Sequence, residues 1–219
     1  MSTGPKQALY AEFALIAKAC AHPHRLELLE HVAQGPMAVE MLAERVGLSV
    51  ANASQHLRQL REAGLVIATR DGKFVRYGLA DDAVLGLLAE VSRVAERRRA
   101  EVTRVVSGYF DQLDAMEPIT RDELEARVRA GLVTVIDVRP REEYALGHVA
   151  GALCVPLAEL EARLAELDPA QEIVAYCRGT WCVLSFEAVA RLRERGFNAW
   201  RLEAGYPEWR AAGRPCETL

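Results

Sequence analysis

The spacing of apolar residues changes near the middle of this chain, and that change limits the fold more than any other feature of the sequence. Before residue 115, apolar side chains such as Leu9, Phe13 and Ile16 recur at helical intervals. Beyond it, short apolar runs of strand type alternate with amphipathic helical stretches. A chain of 219 residues is long enough for two modest cores. We therefore predict two domains, residues 1–115 and residues 116–219.

The first domain is predicted to be mainly helical, with one hairpin. Pro23 suits the first position of a second helix, since the N–H that proline lacks is not needed there. Ser49 can cap a fourth helix. Two strand-like runs then meet at Asp71-Gly72, a strong signal for a tight turn between antiparallel strands. A last long helix is expected from Asp82 to Leu113.

The second domain is predicted to belong to the α/β class. Residues 116–120 are expected to form a linker, and Thr120 with Glu123 has the pattern of a capping box that begins a helix. The apolar runs predict parallel strands at Val133–Asp137, Ile173–Tyr176 and Ala199–Leu202, and helices at Leu157–Leu167, Val183–Arg195 and Pro207–Ala212. Such an alternation places helices on both faces of a parallel sheet.

The third and fourth helices, with the Gly-tipped hairpin after them, have the layout of a winged helix-turn-helix. The second helix of such a pair lies in the major groove of DNA. Its exposed face carries side chains that suit base edges and phosphates, namely Asn52, Ser54, Gln55, His56 and Gln59. The hairpin adds Arg70, Lys73 and Arg76, which suit backbone phosphates. Double-stranded DNA is therefore the predicted partner of this domain.

The stretch VEMLAERVGLSVANASQHLRQLREAGLVIATRDGKFVRYGL resembles the winged-helix core of ArsR-type bacterial repressors. The upstream AKACAHPHRLELLEHV resembles that family's entry into its second helix, so the resemblance covers about residues 10–80. It implies a homodimer whose interface is formed by the first helix and the long last helix.

Many members of that family sense metals, but this sequence departs from their patterns. The third helix lacks a Cys-x-Cys element, and the last long helix has neither His nor Cys. Cys20, His22 and His24 are the remaining candidate ligands, and Cys20 falls on an apolar stripe that favours a core position. We therefore predict neither a metal nor another cofactor.

A cysteine loop, residues 177–182, carries the chemical signal of the second domain. Cys177 directly follows a predicted strand, and a helix is expected to begin near Val183. Backbone N–H groups at such a turn lower a thiol pKa and stabilise a thiolate or persulfide anion. Arg178 adds positive charge and Gly179 lets the loop curl, while Thr180 and Trp181 complete it. Cys182 can either form a bond with Cys177 or pack at the start of the helix.

The segments VIDVRPREEYALGHVAGALCVPLAEL, IVAYCRGTWCVLS and LEAGYPEWRAAG resemble the rhodanese domain over about residues 118–215. The resemblance implies that Cys177 accepts a sulfane sulfur and passes it on. It implies an ion-paired scaffold rather than acid–base catalysts for Asp137, Arg139, Glu143 and His148. Cysteine phosphatases require an Arg six residues after the cysteine, where this chain has Val183. That difference argues against phosphate chemistry.

Composition limits where the protein works. No segment approaches the roughly 20 apolar residues of a membrane span, and the N-terminus lacks a signal-peptide pattern. The five cysteines are irregularly spaced, unlike a disulfide framework. A cytoplasmic location, where free thiols are the rule, is expected. The net charge of −4 comes from the second domain, since residues 1–115 hold 14 basic and 14 acidic side chains.

Three functions stay open at this point. The first is a transcriptional regulator, most simply a repressor, that responds to reactive sulfur or redox state through Cys177. The second is a sulfurtransferase that moves sulfur from thiosulfate or a persulfide to a thiol acceptor and uses its winged helix for dimerisation or targeting. The third and weakest is a metal-responsive repressor with an accessory rhodanese domain. Fold-level analogy alone does not separate them.

Overall fold

A computed structural model describes residues 4–114 and 116–219 and divides the chain into two compact units, Met1–Ala89 and Glu90–Leu219. The predicted domain boundary falls on Ala115, which lies outside the described residues. The compact units divide earlier, inside the predicted last helix of the first domain. No helix in the described residues is both long enough and apolar enough to cross a bilayer.

The first unit is a small helical domain with a three-stranded sheet. Its elements are α1 (Pro5–Cys20), α2 (Pro23–Ala33), β1 (Met37–Ala38), α3 (Val39–Arg45), α4 (Val50–Glu62), β2 (Val66–Asp71), β3 (Phe74–Leu79) and α5 (Ala83–Arg98), the last of which continues past the division. Leu28, Leu42 and Leu57 are fully buried and place α2, α3 and α4 around one core. The predicted winged helix-turn-helix is confirmed.

Local signals explain the ends of these elements. The Ser49 hydroxyl accepts a hydrogen bond from the backbone N–H of Asn52 (3.2 Å) and so caps α4. Strands β2 and β3 pair in antiparallel register, and β1 extends the sheet in the order β1-β3-β2. Gly72 adopts a φ of +59° in the turn between β2 and β3, as the Asp-Gly pair predicts.

Helix α1 buries little of its apolar face within the described chain. Its apolar stripe, which we define as Leu9, Phe13 and Ile16, is 58%, 59% and 37% exposed. Only Ala19 and Cys20, at the end of the helix, are buried. The helical prediction is confirmed, and the stripe is left open to solvent.

The expectation of one unbroken helix from Asp82 to Leu113 is wrong. Helix α5 ends at Arg98, and Arg99 has an extended backbone (φ −113°, ψ 109°). We call residues 99–114 the connecting segment; it contains α6 (Ala100–Val105), a π-helical turn (Val106–Phe110) and α7 (Asp111–Leu113).

The second unit contains a parallel sheet covered on both faces. After the connecting segment its elements are α8 (Arg121–Arg129), β4 (Val133–Asp137), α9 (Arg141–Leu146), β5 (His148–Val149), β6 (Leu153–Cys154), α10 (Leu160–Arg163), β7 (Glu172–Tyr176), α11 (Val183–Glu194), β8 (Ala199–Arg201), α12 (Tyr206–Ala211) and β9 (Cys216–Glu217). The sheet has the order β6-β4-β7-β8, and each pairing is parallel. Separate apolar clusters lie around Ile173 and Leu192 and around Val174 and Trp209. The predicted α/β architecture is confirmed.

Two details of this unit differ from expectation. The helix predicted over Leu157–Leu167 is instead α10 between two short 3₁₀ turns. The predicted linker is partly structural, because Ile119 is buried and pairs with Leu202 at the edge of the sheet. Thr120 caps α8 through the backbone N–H of Glu123 (3.3 Å), as its sequence pattern predicts.

Candidate functional site

The cysteine loop lies at the carboxyl end of β7, where parallel sheets commonly carry their sites. Cys177 follows the last residue of the strand, and Cys182 occupies the position before α11. The structure joins the two in a disulfide with a Cα–Cα distance of 6.2 Å. Both are buried. The Cys182 N–H donates to the Gly179 carbonyl (3.2 Å), which closes the loop into a tight turn.

The residues at the beginning of α12 contact this loop. The Tyr206 N–H donates to the Cys177 carbonyl (3.0 Å). A Cβ at Gly205 would lie 2.2 Å from the carbonyl carbon and oxygen of Arg178, so this position accepts only glycine without moving the loop. Gly205 is not among the predicted site residues, although a glycine directly before a helix is a signal that could have found it.

Arg178 forms a buried ion pair rather than a solvent-facing charge. Its guanidinium donates to both carboxylate oxygens of Glu143 at 2.8 to 3.1 Å. The Glu143 side chain is fully buried, in α9. The positive charge expected beside Cys177 is therefore balanced by a carboxylate, and the pair fixes the loop to α9.

A second buried pair lies at the end of β4. Arg139 donates to the carboxylate of Asp137 (2.5 Å) and to the Gly147 carbonyl (2.7 Å). The Tyr176 hydroxyl also donates to Asp137 (2.5 Å). Burial alone would lower the pKa of Arg139, but the hydrogen bonds and charge of Asp137 raise it overall. Burial, followed by the Asp137 charge, raises the pKa of Tyr176 well above its usual value.

His148 is held by its neighbours on both sides of the ring. The ring stacks on Tyr144 with centroids 3.6 Å apart, and Nδ1 lies 3.0 Å from the Tyr144 carbonyl oxygen. Nε2 lies 3.5 Å from a carboxylate oxygen of Glu217. Asp137, Arg139, Glu143 and His148 are thus all buried, and each contacts other polar groups of the unit.

The remaining loop residues differ in their surroundings. Thr180 is exposed. The Trp181 indole N–H donates to a carboxylate oxygen of Glu96 (2.8 Å), and its ring packs edge-on against Phe110 with centroids 5.3 Å apart. Glu96 and Phe110 precede Trp181 by 85 and 71 positions in the chain, so no local sequence pattern predicts these contacts.

The three free cysteines are poorly suited to sulfur chemistry. They are Cys20, Cys154 and Cys216. Burial raises the pKa of each thiol. Since the thiolate is the reactive form, these residues react more slowly than an ordinary cysteine.

The predicted DNA-contacting residues of α4 do not all share one face. At 100° per residue, Asn52, Gln55 and Gln59 fall on one side of the helix with His56, and those three are exposed. Ser54 lies on another side and is half-buried. The structure thus groups four of the five residues.

Two members of this group contact the preceding helices. The Gln59 side-chain oxygen accepts a hydrogen bond from Arg25 (2.5 Å). The His56 ring lies 4.5 Å from His22 and 6.0 Å from His24, centroid to centroid. Burial, then the charges of His22, Arg25 and His24, lower the pKa of His56. Within residues 4–114 and 116–219, no group of three or more His, Cys, Asp or Glu side chains is arranged to hold a metal ion.

The hairpin between β2 and β3 displays the three predicted basic residues. Arg70 and Lys73 are exposed, and the Lys73 ammonium lies 5.1 Å from the Phe74 ring centroid. Arg76 is half-buried and donates to Asp71 (2.7 Å). The tip therefore presents two open cations and a third held by a carboxylate.

Comparisons with known proteins find a domain family in each half of the chain. A helix-turn-helix domain family matches residues 21–67, and the rhodanese-like domain family matches residues 120–212. Among solved structures, the homodimeric winged helix-turn-helix DNA-binding domain of Mb0332 from Mycobacterium bovis is 36% identical, with a TM-score of 0.42, over 45% of this chain and 92% of that chain. A rhodanese-related protein from Thermoplasma volcanium is 25% identical, with a TM-score of 0.43, over 48% of this chain and all of that chain.

One similar protein spans both units. The HTH-type transcriptional regulator Rv0324 of Mycobacterium tuberculosis is 44% identical over 212 residues, which are 97% of this chain and 93% of that protein. The nodulation protein NolR of Rhizobium meliloti is 37% identical over 47% of this chain and 75% of its own length. The chain belongs to the family of HTH-type transcriptional regulators, as a member that joins a winged helix-turn-helix to a C-terminal rhodanese-like domain.

Proposed function

We propose that this regulator is a cytoplasmic repressor whose operator affinity changes when reactive sulfur reacts with Cys177. The observation that carries the proposal is the cysteine loop, in which Cys177 and Cys182 are close enough to share a disulfide. Paired thiols in a reducing compartment are usually redox-active rather than structural.

The proposed chemistry has two steps. The Cys177 thiolate attacks the outer sulfur of a persulfide, or the sulfane sulfur of thiosulfate, and releases a thiolate or sulfite. The Cys182 thiolate then attacks the Cys177 sulfur of the resulting persulfide, and hydrosulfide leaves as the disulfide forms. The two thiols are oxidised and the transferred sulfur is reduced, so no further oxidant is required. A disulfide with both sulfurs buried suits an end product that is protected from further attack.

The DNA-binding role is assigned to α4 and the hairpin. Asn52, Gln55 and Gln59 form an exposed polar face of α4 that suits base edges. Arg70 and Lys73 lie where the hairpin tip of a winged helix meets backbone phosphates. Arg76 would contribute once it exchanges Asp71 for a phosphate.

A homodimer is part of the proposal. The apolar stripe of α1 leaves the large side chains of Leu9, Phe13 and Ile16 in solvent. Contiguous exposed apolar surface of this kind marks interaction sites. A second copy of the chain, paired through the same surface, would cover it and would match a two-fold symmetric operator.

A sulfurtransferase is the second candidate. The two buried ion pairs, Arg139–Asp137 and Arg178–Glu143, hold the loop in place. A loop held in this way could keep a persulfide at Cys177 until an external thiol accepts the sulfur. In that case Cys182 competes with the acceptor, and Cys182→Ser should transfer sulfur at least as fast as the wild type. In both candidates, Cys177→Ser should abolish sulfur transfer.

The deciding experiment is an operator titration. A duplex selected by the reduced wild-type protein from a random-sequence library would be titrated with reduced protein and with protein treated with an alkyl persulfide. We expect affinity to change by about 5- to 150-fold, the usual range of coupling free energies. Cys182→Ser should respond less than the wild type. Equal affinity of the two wild-type forms would exclude the sensor and leave the enzyme.

The same titration tests the DNA surface. Replacing Arg70, Lys73 and Arg76 by Ala should weaken binding to all sequences and flatten its salt dependence. Arg191→Ala, on α11 of the second unit, serves as a control for the loss of a surface cation outside the hairpin, and its effect is compared with that of each single hairpin variant. An unchanged salt slope in the triple variant would contradict the proposed role of the hairpin.

A further inference from the structure

Trp181 connects the cysteine loop to two helical segments of the second unit. It lies between the two cysteines of the loop, directly before Cys182. Its indole N–H donates to Glu96 in α5, and its ring contacts Phe110 in the π-helical turn. The ring planes of Trp181 and Phe186 are parallel within 6°, with centroids 6.4 Å apart. A single loop side chain therefore contacts three helical elements.

These contacts lie on opposite sides of a break in the helix. Arg99 interrupts the helix with an extended backbone, with Glu96 before it and Phe110 after it. Residues at the ends of helices can absorb backbone changes as hinges, so two helical pieces can change their mutual angle at such a break. Because Trp181 binds both pieces, its position restrains that angle.

The far end of the connecting segment is anchored independently of the loop. Asp114 is buried and pairs with Arg193 (2.7 Å) and Arg201 (3.5 Å). Phe110 packs on Phe186 with centroids 4.8 Å apart, and Arg201 lies 3.9 Å from the Phe186 ring centroid. Phe110 and Asp114 are thus fixed to the body of the unit, whereas Glu96 is joined to the loop through Trp181.

We propose that Trp181 couples the sulfur state of the loop to the helix break at Arg99. The disulfide holds residues 177–182 in a tight turn and keeps Trp181 between Glu96 and Phe110. Opening the disulfide lengthens the loop, releases Trp181 from Glu96, and lets α5 and the connecting segment change their angle. This inference rests on the proposed disulfide chemistry of Cys177 and Cys182. It identifies Trp181 as the side chain that transmits the state of the disulfide to the helices.

Thermodynamic linkage makes the proposal testable without DNA. If the disulfide strengthens the contacts of Trp181, those contacts must stabilise the disulfide by the same amount. Removing their partners at Glu96 or Phe110 should then make the disulfide easier to reduce. Neither partner belongs to the loop, so the sulfur chemistry itself is left intact.

The experiment equilibrates the full-length protein with mixtures of reduced and oxidised glutathione and measures the disulfide fraction by mass spectrometry after alkylation. Reduction takes two glutathione thiols, which supply two electrons and two protons and leave as glutathione disulfide. We expect Glu96→Ala and Phe110→Leu each to shift the equilibrium toward the dithiol by about threefold or more, the worth of a modest hydrogen bond or aromatic contact. The control is Glu90→Ala. Glu90 lies on the same helix as Glu96, and its exposed carboxylate pairs with Arg93.

Hydrogen exchange of residues 100–113 provides a second readout. In the wild type, reduction should speed exchange in this segment, and in Glu96→Ala the oxidised form should already exchange nearly as fast. The proposal would be overturned if both variants had the same dithiol–disulfide equilibrium as the wild type and Glu90→Ala. It would also be overturned if hydrogen exchange in the wild type did not depend on the redox state. Failure of the operator response alone would refute the proposed sensor but would leave this coupling standing.

Discussion

Glu143 and Arg178 form an ion pair with the carboxylate fully buried and the guanidinium 13% exposed. Removing one partner of a buried pair leaves a charge with less compensation and costs about 3–5 kcal/mol. We expect Glu143→Ala to lower the unfolding free energy of the second unit by about 3 kcal/mol, since Arg178 retains some access to water. Denaturant unfolding of the full chain would measure the loss.

The control for this variant is the exposed partner of another residue of the same helix. Arg141 of α9 pairs with Glu159 at the surface. Solvent screens exposed pairs, so Glu159→Ala should lower the unfolding free energy much less than Glu143→Ala does. Equal losses in Glu143→Ala and Glu159→Ala would contradict a structural role for the buried pair.

The pKa of His56, lowered by burial and by His22, Arg25 and His24, predicts a pH-dependent stability. Below its ordinary pKa of 6.5, the unfolded chain binds a proton that the folded chain resists. The contribution of neutral His56 to the free energy of unfolding is therefore fully present above pH 6.5. It is lost as the pH falls from 6.5 toward the lowered pKa of His56 in the folded chain. His56→Gln should reduce this loss, as measured by thermal unfolding between pH 8 and pH 5.5. A wild-type pH profile with the same slope as the variant's would refute the assignment.

Single residues also show how far sequence reasoning reached. Cys177 and Cys182 could be placed in one loop, and Asp137 and Arg139 at one strand end, because the members of each pair lie close together in the sequence. Glu96 and Gly205 were missed because their contacts with the loop depend on tertiary packing, which no local pattern encodes. Ser54 was grouped with its neighbours by polarity, although its helical phase places it on another side of α4.

The π-helical turn at Val106–Phe110 gives a prediction at the scale of one element. Such turns accommodate one residue more than an α-helical turn within a continuing helix. Deleting Gly108, which is exposed, should convert the turn to α-helix and keep Phe110 in its present phase. We expect the unfolding free energy to stay within about 1 kcal/mol of the wild-type value, because glycine is itself a poor helix former.

A deletion in a regular helix is the control for this prediction. Removing the buried Ala188 from α11 rotates the following residues by about 100° and should disrupt the second unit. Circular dichroism and denaturant unfolding would compare the two deletions. Equal damage from both would show that the turn cannot absorb the loss of a residue.

Whole elements were largely predictable, with informative exceptions. The strands β4, β7 and β8 and the helix α11 follow from apolar runs bounded by turn residues. The break at Arg99 was not predicted, because the sequence around it is rich in helix-forming Glu and Arg. Packing of Phe110 and Asp114 against the second unit accompanies the change of direction there, and tertiary contacts of this kind override helix propensity.

At the scale of the whole molecule, the change of apolar spacing correctly predicts two structural parts. Their boundary could not be located from spacing alone, because α5 runs across the division between Ala89 and Glu90. A helix shared by two units gives one continuous periodic signal, so the spacing does not show where one compact unit ends and the next begins.

The apolar stripe of α1 predicts the state of assembly. Phe13→Glu places a charge in the centre of the stripe and should raise the dimer dissociation constant at least about tenfold, as expected for a central interface residue. Sedimentation equilibrium would measure it. Glu12→Lys, which changes charge on the neighbouring face of α1, should leave the constant nearly unchanged. A monomeric wild type would contradict the proposed interface.

An interface formed by α1 also makes the first unit subject to mass action. Its folded form is stabilised by every partner bound, so its thermal midpoint should rise with protein concentration. The second unit, which encloses its own core, should unfold at a midpoint that does not depend on concentration. When cellular levels of the protein fall, the winged-helix unit would lose stability before the rhodanese-like unit does.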